Sequence, residues 1–245
     1  MNEPGIQRVA LVTGGAVRVG RAISMGLAEA GYDLLIHYRS SRAAAEEAAR
    51  AVEALGRRCV TVQADLIRAE APDALVDGVR NAYGRLDLLV NNAASFDERP
   101  LEEVDAAVWD EVMALNARAP HLLVRAAAPL LREARGAVVN LVDLSALQPW
   151  TGYPAHAVSK AALAHLTRIQ ARALAPHVRV NAVAPGAVHP PDDFPRERLD
   201  ALRALTPLGS LGTPEDVVRA VLYLASAPFV TGVILPVDGG GTLRG

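Results

Sequence analysis

The chain has 245 residues, 51% of them hydrophobic, and 25 Lys and Arg against 27 Asp and Glu give it a formal net charge of −2. This composition is typical of a globular protein, and the charge disfavours non-specific binding to nucleic acid. No apolar run reaches membrane-spanning length, the first residues lack the apolar stretch of a signal peptide, and Cys59 is the single cysteine. We therefore expect a cytoplasmic protein without a membrane partner, a disulfide or a zinc site built on cysteines.

Apolar runs typical of strands alternate with helical patterns along the chain. Strands are predicted at 8–15, 33–40, 59–66, 86–94, 136–143, 178–186 and 233–240. Helices are predicted at 20–32, 43–56, 71–84, about 105–133, about 154–175 and 214–226. Strands that are apolar throughout are buried on both faces, which indicates a parallel sheet covered by helices. Because the connections are short and no linker divides the chain, we predict one doubly wound α/β Rossmann domain over residues 1–245, with about seven strands and helices on both faces.

The segment TGGAVRVG, residues 13–20, leads from the first strand into the first helix. Gly14 permits a tight turn, and Gly20 lets the start of the helix pack closely against the sheet. A helix N-terminus offers free N–H groups and the positive end of its dipole to a pyrophosphate. A glycine-rich turn alone could be only a turn, but the strand before it and the helix after it predict a dinucleotide site.

The second strand ends in IHYRSSR, residues 36–42. A fold that selects NAD usually carries a carboxylate here for the ribose hydroxyls, but no acid occurs between Asp33 and Glu46. Arg39, Ser40 and Arg42 instead offer the cation and hydroxyl donors that a 2′-phosphate requires, although Arg42 could simply belong to a solvated loop. We therefore predict NADPH rather than NADH.

Taken together, the motifs resemble those of the short-chain dehydrogenase/reductase family over essentially the whole chain. AD at 64–65, NNAA at 91–94, Asn116, VNAVAPG at 180–186 and VDGG at 237–240 follow the cofactor turn in the family's order. The resemblance implies a homotetramer, a nicotinamide cofactor and a substrate lid over about residues 187–212. The implied cofactor-binding residues are Gly14, Arg18, Val19, Gly20, Tyr38, Arg39, Ser40, Asp65, Leu66, Asn92, Ala93, Ala94, Lys160, Pro185, Gly186 and Val188.

Within this family the chain is most similar to the pteridine reductases. Arg18 stands where most members have a glycine, and Phe96 follows NNAAS where a pteridine reductase stacks its pterin ring. Asp143 lies thirteen residues before His156, where the wider family has a serine and pteridine reductases have an aspartate. The resemblance implies that the substrate contacts Arg18, Ser95, Phe96, Asp143 and Tyr153. Phe96 could instead anchor its loop, and Arg18 could serve only the phosphates.

The family's catalytic pair is a tyrosine four residues before a lysine. Here Lys160 is in register, but His156 occupies the tyrosine position. Imidazole titrates near ~6.5 and phenol near ~10, so a protonated His156 would be the stronger acid. Asp143, His156 and Lys160 could pass a proton together, or a neutral His156 could fill the space while solvent supplies the proton. The catalytic candidates are Asp143, His156, Lys160 and Asn116.

These residues predict an NADPH-dependent reductase of a C=N bond in a planar bicyclic substrate such as a dihydropterin or dihydrofolate. A C=N bond is more basic than a ketone and needs less help from a strong acid. The alternatives are a carbonyl reductase acting on a ketone or 3-oxoacyl substrate, and a weakened protein that only binds NADPH. His121, His165 and His177 lack metal-ligand spacing, so we expect no metal. The absence of G-x-S-x-G argues against a serine hydrolase.

Overall fold

A computed structural model describes residues 7–190 and 194–243 of the chain. Its seven strands form one sheet in the order β3-β2-β1-β4-β5-β6-β7, and every neighbouring pair is parallel. The strands are β1 (Arg8–Val12), β2 (Tyr32–Tyr38), β3 (Cys59–Gln63), β4 (Leu88–Asn91), β5 (Ala137–Leu141), β6 (Arg179–Pro185) and β7 (Ile234–Val237). The predicted single Rossmann-like α/β domain with a seven-stranded parallel sheet is therefore confirmed.

Helices connect the parallel strands, as crossover connections require. They are α1 (Arg18–Glu29), α2 (Arg42–Ala54), α3 (Ala71–Tyr83), α4 (Ala106–Met113), α5 (Ala119–Ala134), α6 (Pro154–Leu174), α7 (Arg196–Leu205) and α8 (Pro214–Ser226). The long helix predicted at about 105–133 consists of α4 and α5, joined by a π-helical turn at Ala114–Arg118. Within the described ranges, no helix is long and apolar enough to cross a membrane.

The helices bury both faces of the sheet. In β1, Ala10 and Val12 pack in the core that includes α1, α2 and α8, whereas Val9 and Leu11 pack in the core that includes α3 and α5. This alternation follows from the period of two in a strand. It explains why residues 9–12 of β1 form a continuous apolar run.

The sheet brings the carboxyl ends of all seven strands to one edge. The strand order reverses between β1 and β4, which is where ligands bind in open parallel sheets. Gly14 follows β1, Arg39 follows β2, Asp65 follows β3, Asn92 follows β4 and Asp143 follows β5. The fold therefore assembles residues from five separate segments at one edge.

Candidate active site

The cofactor turn, residues 13–20, is tied to the end of β4 by side-chain hydrogen bonds. The Thr13 hydroxyl oxygen accepts the N–H groups of Asn92 at 2.9 Å and Ala93 at 3.0 Å. The Asn92 side-chain amide donates to the carbonyl oxygens of Thr13 at 2.9 Å and Gly14 at 3.2 Å. These bonds fix β1 against β4 at the point where the sheet order reverses.

Two glycines make the cofactor turn possible. Gly14 has a φ of 61°, in the left-handed region that favours glycine. A Cβ atom on Gly20 would lie 2.1 Å from the Gly14 carbonyl oxygen and 2.6 Å from the Asn92 side-chain nitrogen. The first turn of α1 therefore lies directly against the cofactor turn. Among the described residues no side chain caps α1, so its first N–H groups suit phosphate oxygens.

Arg18 links the cofactor turn to the segment predicted as a lid. Its φ is 52°, a backbone conformation that costs a non-glycine residue about 1–2 kcal/mol. Its exposed guanidinium donates to the His189 carbonyl oxygen at 2.6 Å. At the base of the segment, the Gly212 N–H donates to the Ala187 carbonyl oxygen at 3.1 Å. Residues 191–193 of the predicted lid lie outside the described residues, and helix α7 occupies part of the remainder.

The residues predicted to bind the adenosine half follow β2 and β3. Arg39 and Ser40 are exposed directly after β2. Tyr38, predicted beside them, has a ring that is buried in the core shared with α1 and α2, so only its backbone borders this edge. Asp65 lies in the turn after β3, and Leu66 is buried beneath it. The predicted residues are thus neighbours, but only some present side chains to a ligand.

The remaining predicted cofactor residues lie along the same edge. Gly186 follows β6, and its N–H donates to the Val237 carbonyl oxygen at 2.9 Å. Val188 is buried, while Ala94 is exposed after β4. Ala93 and Pro185 are half-buried, as is Val19 where it packs against the core.

Both ring nitrogens of His156 face hydrogen-bond acceptors. Nδ1 lies 2.9 Å from the Ser95 carbonyl oxygen, and Nε2 lies 2.7 Å from Oδ2 of Asp143. A carbonyl oxygen only accepts, and so does an ionised carboxylate, so both nitrogens donate when Asp143 is ionised. Burial opposes ionisation of Asp143, but the hydrogen bond from His156 and the charge of Lys160 outweigh it and lower the pKa of Asp143. The Asn116 side-chain amide nitrogen also lies 3.5 Å from Nδ1. The geometry therefore provides an acceptor for a proton on each ring nitrogen of His156.

Asn116 holds this pair in place from the π-helical turn. Its side-chain oxygen accepts the Ser95 N–H at 2.9 Å, and its amide donates to the Ser95 carbonyl oxygen and to the Ser159 hydroxyl, both at 3.0 Å. The Ser159 hydroxyl in turn donates to the His156 carbonyl oxygen at 2.6 Å. A π-helical turn often marks a functional site, and here it carries the buried residue that fixes Ser95.

Lys160 lies one helical turn beyond His156 and is almost completely buried. Its ammonium group donates to the Leu141 carbonyl oxygen at 2.8 Å, at the end of β5. Burial lowers the pKa of Lys160, and the nearby charge of Asp143 opposes that change. Asp143 thus interacts with both His156 and Lys160, which lie one turn apart on α6.

An aromatic wall, formed by Phe96, Trp150 and Tyr153, stands beside the His156–Asp143 pair. The Phe96 ring is 62% exposed, and its centroid lies 4.7 Å from that of Tyr153 and 4.8 Å from that of His156. The Trp150 ring lies 5.7 Å from Tyr153. Partial burial and the hydrogen bond to Glu98 raise the pKa of Tyr153 to about 12, so its phenol is a poor proton donor.

A protein-family model described as enoyl-(acyl carrier protein) reductase matches residues 15–242. The chain belongs to the short-chain dehydrogenase/reductase family. It is 39% identical to an uncharacterized oxidoreductase of Mycobacterium tuberculosis, over 96% of this chain and 92% of that protein. It is 35% identical to 3β-hydroxysteroid dehydrogenase 1 of Eggerthella lenta, over 96% of this chain and 94% of that protein.

Further comparisons support the same family. The chain is 32% identical to a 3-oxoacyl-(acyl-carrier-protein) reductase of Staphylococcus aureus, over 94% of this chain and 96% of that protein. A crystal structure described as a short-chain alcohol dehydrogenase from Sinorhizobium meliloti superposes with a TM-score of 0.91 at 30% identity, covering 97% of this chain and 98% of that one. The protein is therefore an NAD(P)-dependent oxidoreductase of the short-chain family.

Three residues of this short-chain family site were missed from the sequence. Thr13 and Ser159 form the hydrogen bonds described above, and His37 bonds to the cofactor turn. Only His37 gave a signal, because a polar residue directly follows the apolar residues 34–36 of β2. His121, His165 and His177 are exposed, and within the described ranges no three or more potential ligands are grouped to hold a metal.

Proposed function

We propose that this short-chain family member uses NADPH to reduce a C=N bond in a planar bicyclic ring, such as a dihydropterin or dihydrofolate. The observation that carries the proposal is the exposed Phe96 ring packed against His156, whose imidazole is paired with Asp143. An aromatic face and an acidic pair thus share one site. Together they suit a flat, basic nitrogen heterocycle, which gains from stacking and needs a proton.

The residues at the sheet edge fit a dinucleotide. The N–H groups at the start of α1 would hold the pyrophosphate, in the space that Gly20 keeps open. Arg39 and Ser40 would bind a 2′-phosphate, Asp65 the adenine and Lys160 the nicotinamide ribose. When bound, the nicotinamide supplies the hydride. The choice of NADPH rests on the exposed Arg39 and Ser40 and on the absence of an acid beside them in the sequence.

The proton is held by Asp143 and His156 together. The Asp143 side chain is 17% exposed and that of His156 only 1%, so Asp143 is the member that reaches the open side. In this scheme a proton on Nε2 of His156 moves across 2.7 Å to Oδ2 of the ionised Asp143, which passes it to the substrate nitrogen. His156 ends as a neutral ring and Asp143 is again a carboxylate. The Ser145 N–H and hydroxyl both donate to the other carboxylate oxygen and keep Asp143 oriented. His156 acts in this scheme as the proton store behind Asp143.

The substrate ring would stack on Phe96, with Tyr153 beside it and Arg18 at the entrance. The Tyr153 hydroxyl is hydrogen-bonded to Glu98 and its pKa is raised, so we assign Tyr153 to the pocket lining rather than to proton transfer. Ser95 holds His156 through its carbonyl oxygen and borders the same space. The described part of residues 187–212 would cover the pocket as a lid. By resemblance we also propose a homotetramer in the cytoplasm.

A carbonyl reductase is the second candidate, because named relatives include a steroid dehydrogenase and a 3-oxoacyl reductase. NADPH oxidation measured with dihydrobiopterin, dihydrofolate and a panel of ketones and 3-oxoacyl thioesters distinguishes the two. Turnover of the pterins with little on ketones supports our proposal, and the reverse result assigns carbonyl reduction. Tight NADPH binding without turnover of any substrate would identify a weakened, binding-only protein.

Phe96 provides a direct test of ring stacking. We expect Phe96→Ala to weaken binding of a folate analogue by about 0.5–1.5 kcal/mol beyond the loss of contact area, while NADPH affinity changes much less. Phe229, which is fully exposed elsewhere on the surface, is the matched control for loss of a surface ring. A Phe96→Ala protein with unchanged analogue binding and a lower melting temperature would make Phe96 a packing residue.

A further inference from the structure

His37 contacts the cofactor turn from the end of β2. Its Nδ1 lies 3.2 Å from the Gly14 nitrogen, and its own carbonyl oxygen accepts the Gly15 N–H at 3.1 Å. Its Nε2 lies 3.1 Å from the carbonyl oxygen of Ala64, the residue before Asp65. One buried residue therefore binds both the turn after β1 and the loop after β3.

These partners determine which ring nitrogen of His37 carries the proton. The backbone N–H of Gly14 only donates, so Nδ1 must accept and be unprotonated. The Ala64 carbonyl only accepts, so Nε2 must carry the hydrogen. A second proton on the ring would place an N–H at Nδ1 against the Gly14 N–H and break that bond. The arrangement is thus compatible with the neutral ring alone.

We propose that His37 is a positioning residue for the dinucleotide, which holds the cofactor turn and the Asp65 loop in register and releases the turn when its ring is protonated. Gly14 lies in the cofactor turn, which leads into the N-terminus of α1, and in the proposed function Asp65 binds the adenine of the same ligand. His37 lies between Gly14 and Ala64, the residue before Asp65, and forms its hydrogen bonds there rather than with His156 or the aromatic wall. It acts through the backbone of other residues.

The surroundings of His37 favour the neutral ring. Burial lowers the pKa of His37, whereas the bond to Ala64 and the charge of Asp65 oppose that change. The cofactor turn presents backbone N–H groups to the ring, and on the β3 side Asp65 is the charged group that acts on it. We therefore expect the ring of His37 to be protonated only at a pH below the usual histidine range.

Two substitutions separate the bonds of His37. Asn places an acceptor where Nδ1 lies, so His37→Asn retains the Gly14 bond and carries no titratable group. Gln reaches the position of Nε2, so His37→Gln retains the donor to Ala64 and loses the acceptor for Gly14. At pH 7.5 we expect the NADP⁺ Kd of His37→Asn to stay within about threefold of wild type and that of His37→Gln to rise about tenfold, equivalent to about 1.4 kcal/mol.

The second readout is pH. The wild-type NADP⁺ Kd, measured by calorimetry from pH 7.5 to 5, should rise towards the His37→Gln value more steeply than that of His37→Asn. The His37→Asn profile also contains the titration of the ligand's own 2′-phosphate, so the difference between the two profiles isolates His37. NADP⁺ replaces NADPH because the reduced form decomposes in acid, and NAD⁺ serves if it binds more tightly.

The outcomes separate clearly. The proposal is overturned if the NADP⁺ Kd of wild type and of His37→Asn change in parallel with pH. It is also overturned if His37→Asn binds NADP⁺ as weakly as His37→Gln while the two variants have equal melting temperatures. If a variant does not fold, nitrogen NMR of the wild-type ring decides, because we expect the Nε2–H tautomer and a titration that coincides with loss of binding. The inference rests on the dinucleotide part of the proposed function only. Failure to reduce pterins leaves it standing, whereas failure to bind either dinucleotide removes it.

Discussion

The pair formed by Asp143 and His156 gives the sharpest prediction about the site, because two substitutions at Asp143 separate structure from proton transfer. Asp143→Ala leaves the buried Nε2–H of His156 without its acceptor at 2.7 Å. A hydrogen bond to a charged group contributes about 1.5–3 kcal/mol, so we expect the free energy of unfolding to fall by about 2–3 kcal/mol. Asp143→Asn can instead donate its amide to a neutral His156 and should lose about 1 kcal/mol or less.

Activity should rank these two variants differently from stability. An asparagine cannot hold a proton, so kcat of Asp143→Asn should fall about 10²–10⁴-fold although the protein stays folded. Urea unfolding at pH 7 measures the free energy of unfolding, and NADPH oxidation with the best substrate of the panel measures kcat. An Asp143→Asn enzyme within threefold of the wild-type kcat would refute the assignment of proton transfer to Asp143. An Asp143→Ala protein as stable as wild type would show that the hydrogen bond between Asp143 and His156 does not stabilise the fold.

The pH dependence of stability follows from the lowered pKa of Asp143. A carboxyl whose folded pKa is depressed stabilises the protein above its unfolded value, near ~3.9, and loses that contribution as pH falls through the folded pKa. The contribution of the Asp143 carboxylate should therefore be complete above about pH 5, and in stronger acid the stabilities of wild type and Asp143→Asn should converge. A stability difference that does not shrink below about pH 4 would contradict the ionised carboxylate.

Three further predictions concern the cofactor and the core. NADPH should bind at least about tenfold tighter than NADH. Arg39→Asp should reduce or reverse this preference more than Arg42→Asp does. Equal affinities of the wild-type protein for NADPH and NADH would contradict a 2′-phosphate site at Arg39. Gly20→Ala should cost about 2 kcal/mol or more in calorimetric unfolding because its Cβ would meet backbone at 2.1 Å, whereas Gly78→Ala, which has space in α3, should not destabilise. Because burial lowers the pKa of Lys160, that site makes stability rise with pH towards ~10.4, and Lys160→Met should lack this rise in urea unfolding.

The sequence pattern predicted the buried elements well because burial leaves a periodic signal. All seven strands lie where apolar runs occur, and helix α8 spans the predicted residues 214–226. Helix α7, by contrast, was not predicted. In α7, which is described throughout, no residue is buried, so there was no apolar stripe to detect. The π-helical turn that carries Asn116 was not predicted either, because the helical pattern of apolar and charged residues continues through it.

Several side chains of the site were predictable from the sequence, whereas the contacts that its backbone makes were not. The family resemblance placed Asp143 beside His156, and the structure brings them together at 2.7 Å. The second acceptor for His156 is the carbonyl oxygen of Ser95, which any residue at that position would supply. Arg18 was expected at the phosphates, but its bond to the His189 carbonyl spans 171 residues of sequence and again involves the backbone. Such contacts follow from the fold and not from residue type.

The charges of Asp143, His156 and Lys160 explain how a histidine could serve where the family uses a tyrosine. A tyrosine donor begins neutral and ends as an anion, so a neighbouring ammonium stabilises the product of proton transfer. The proposed proton store here, His156, begins as an imidazolium paired with the Asp143 carboxylate and ends as a neutral ring after its proton has passed through Asp143. Lys160, buried one turn away, then disfavours the charged starting state rather than stabilising the product. Both arrangements make the proton easier to release, so the same lysine suits either donor, and only the direction in which the charge changes is reversed.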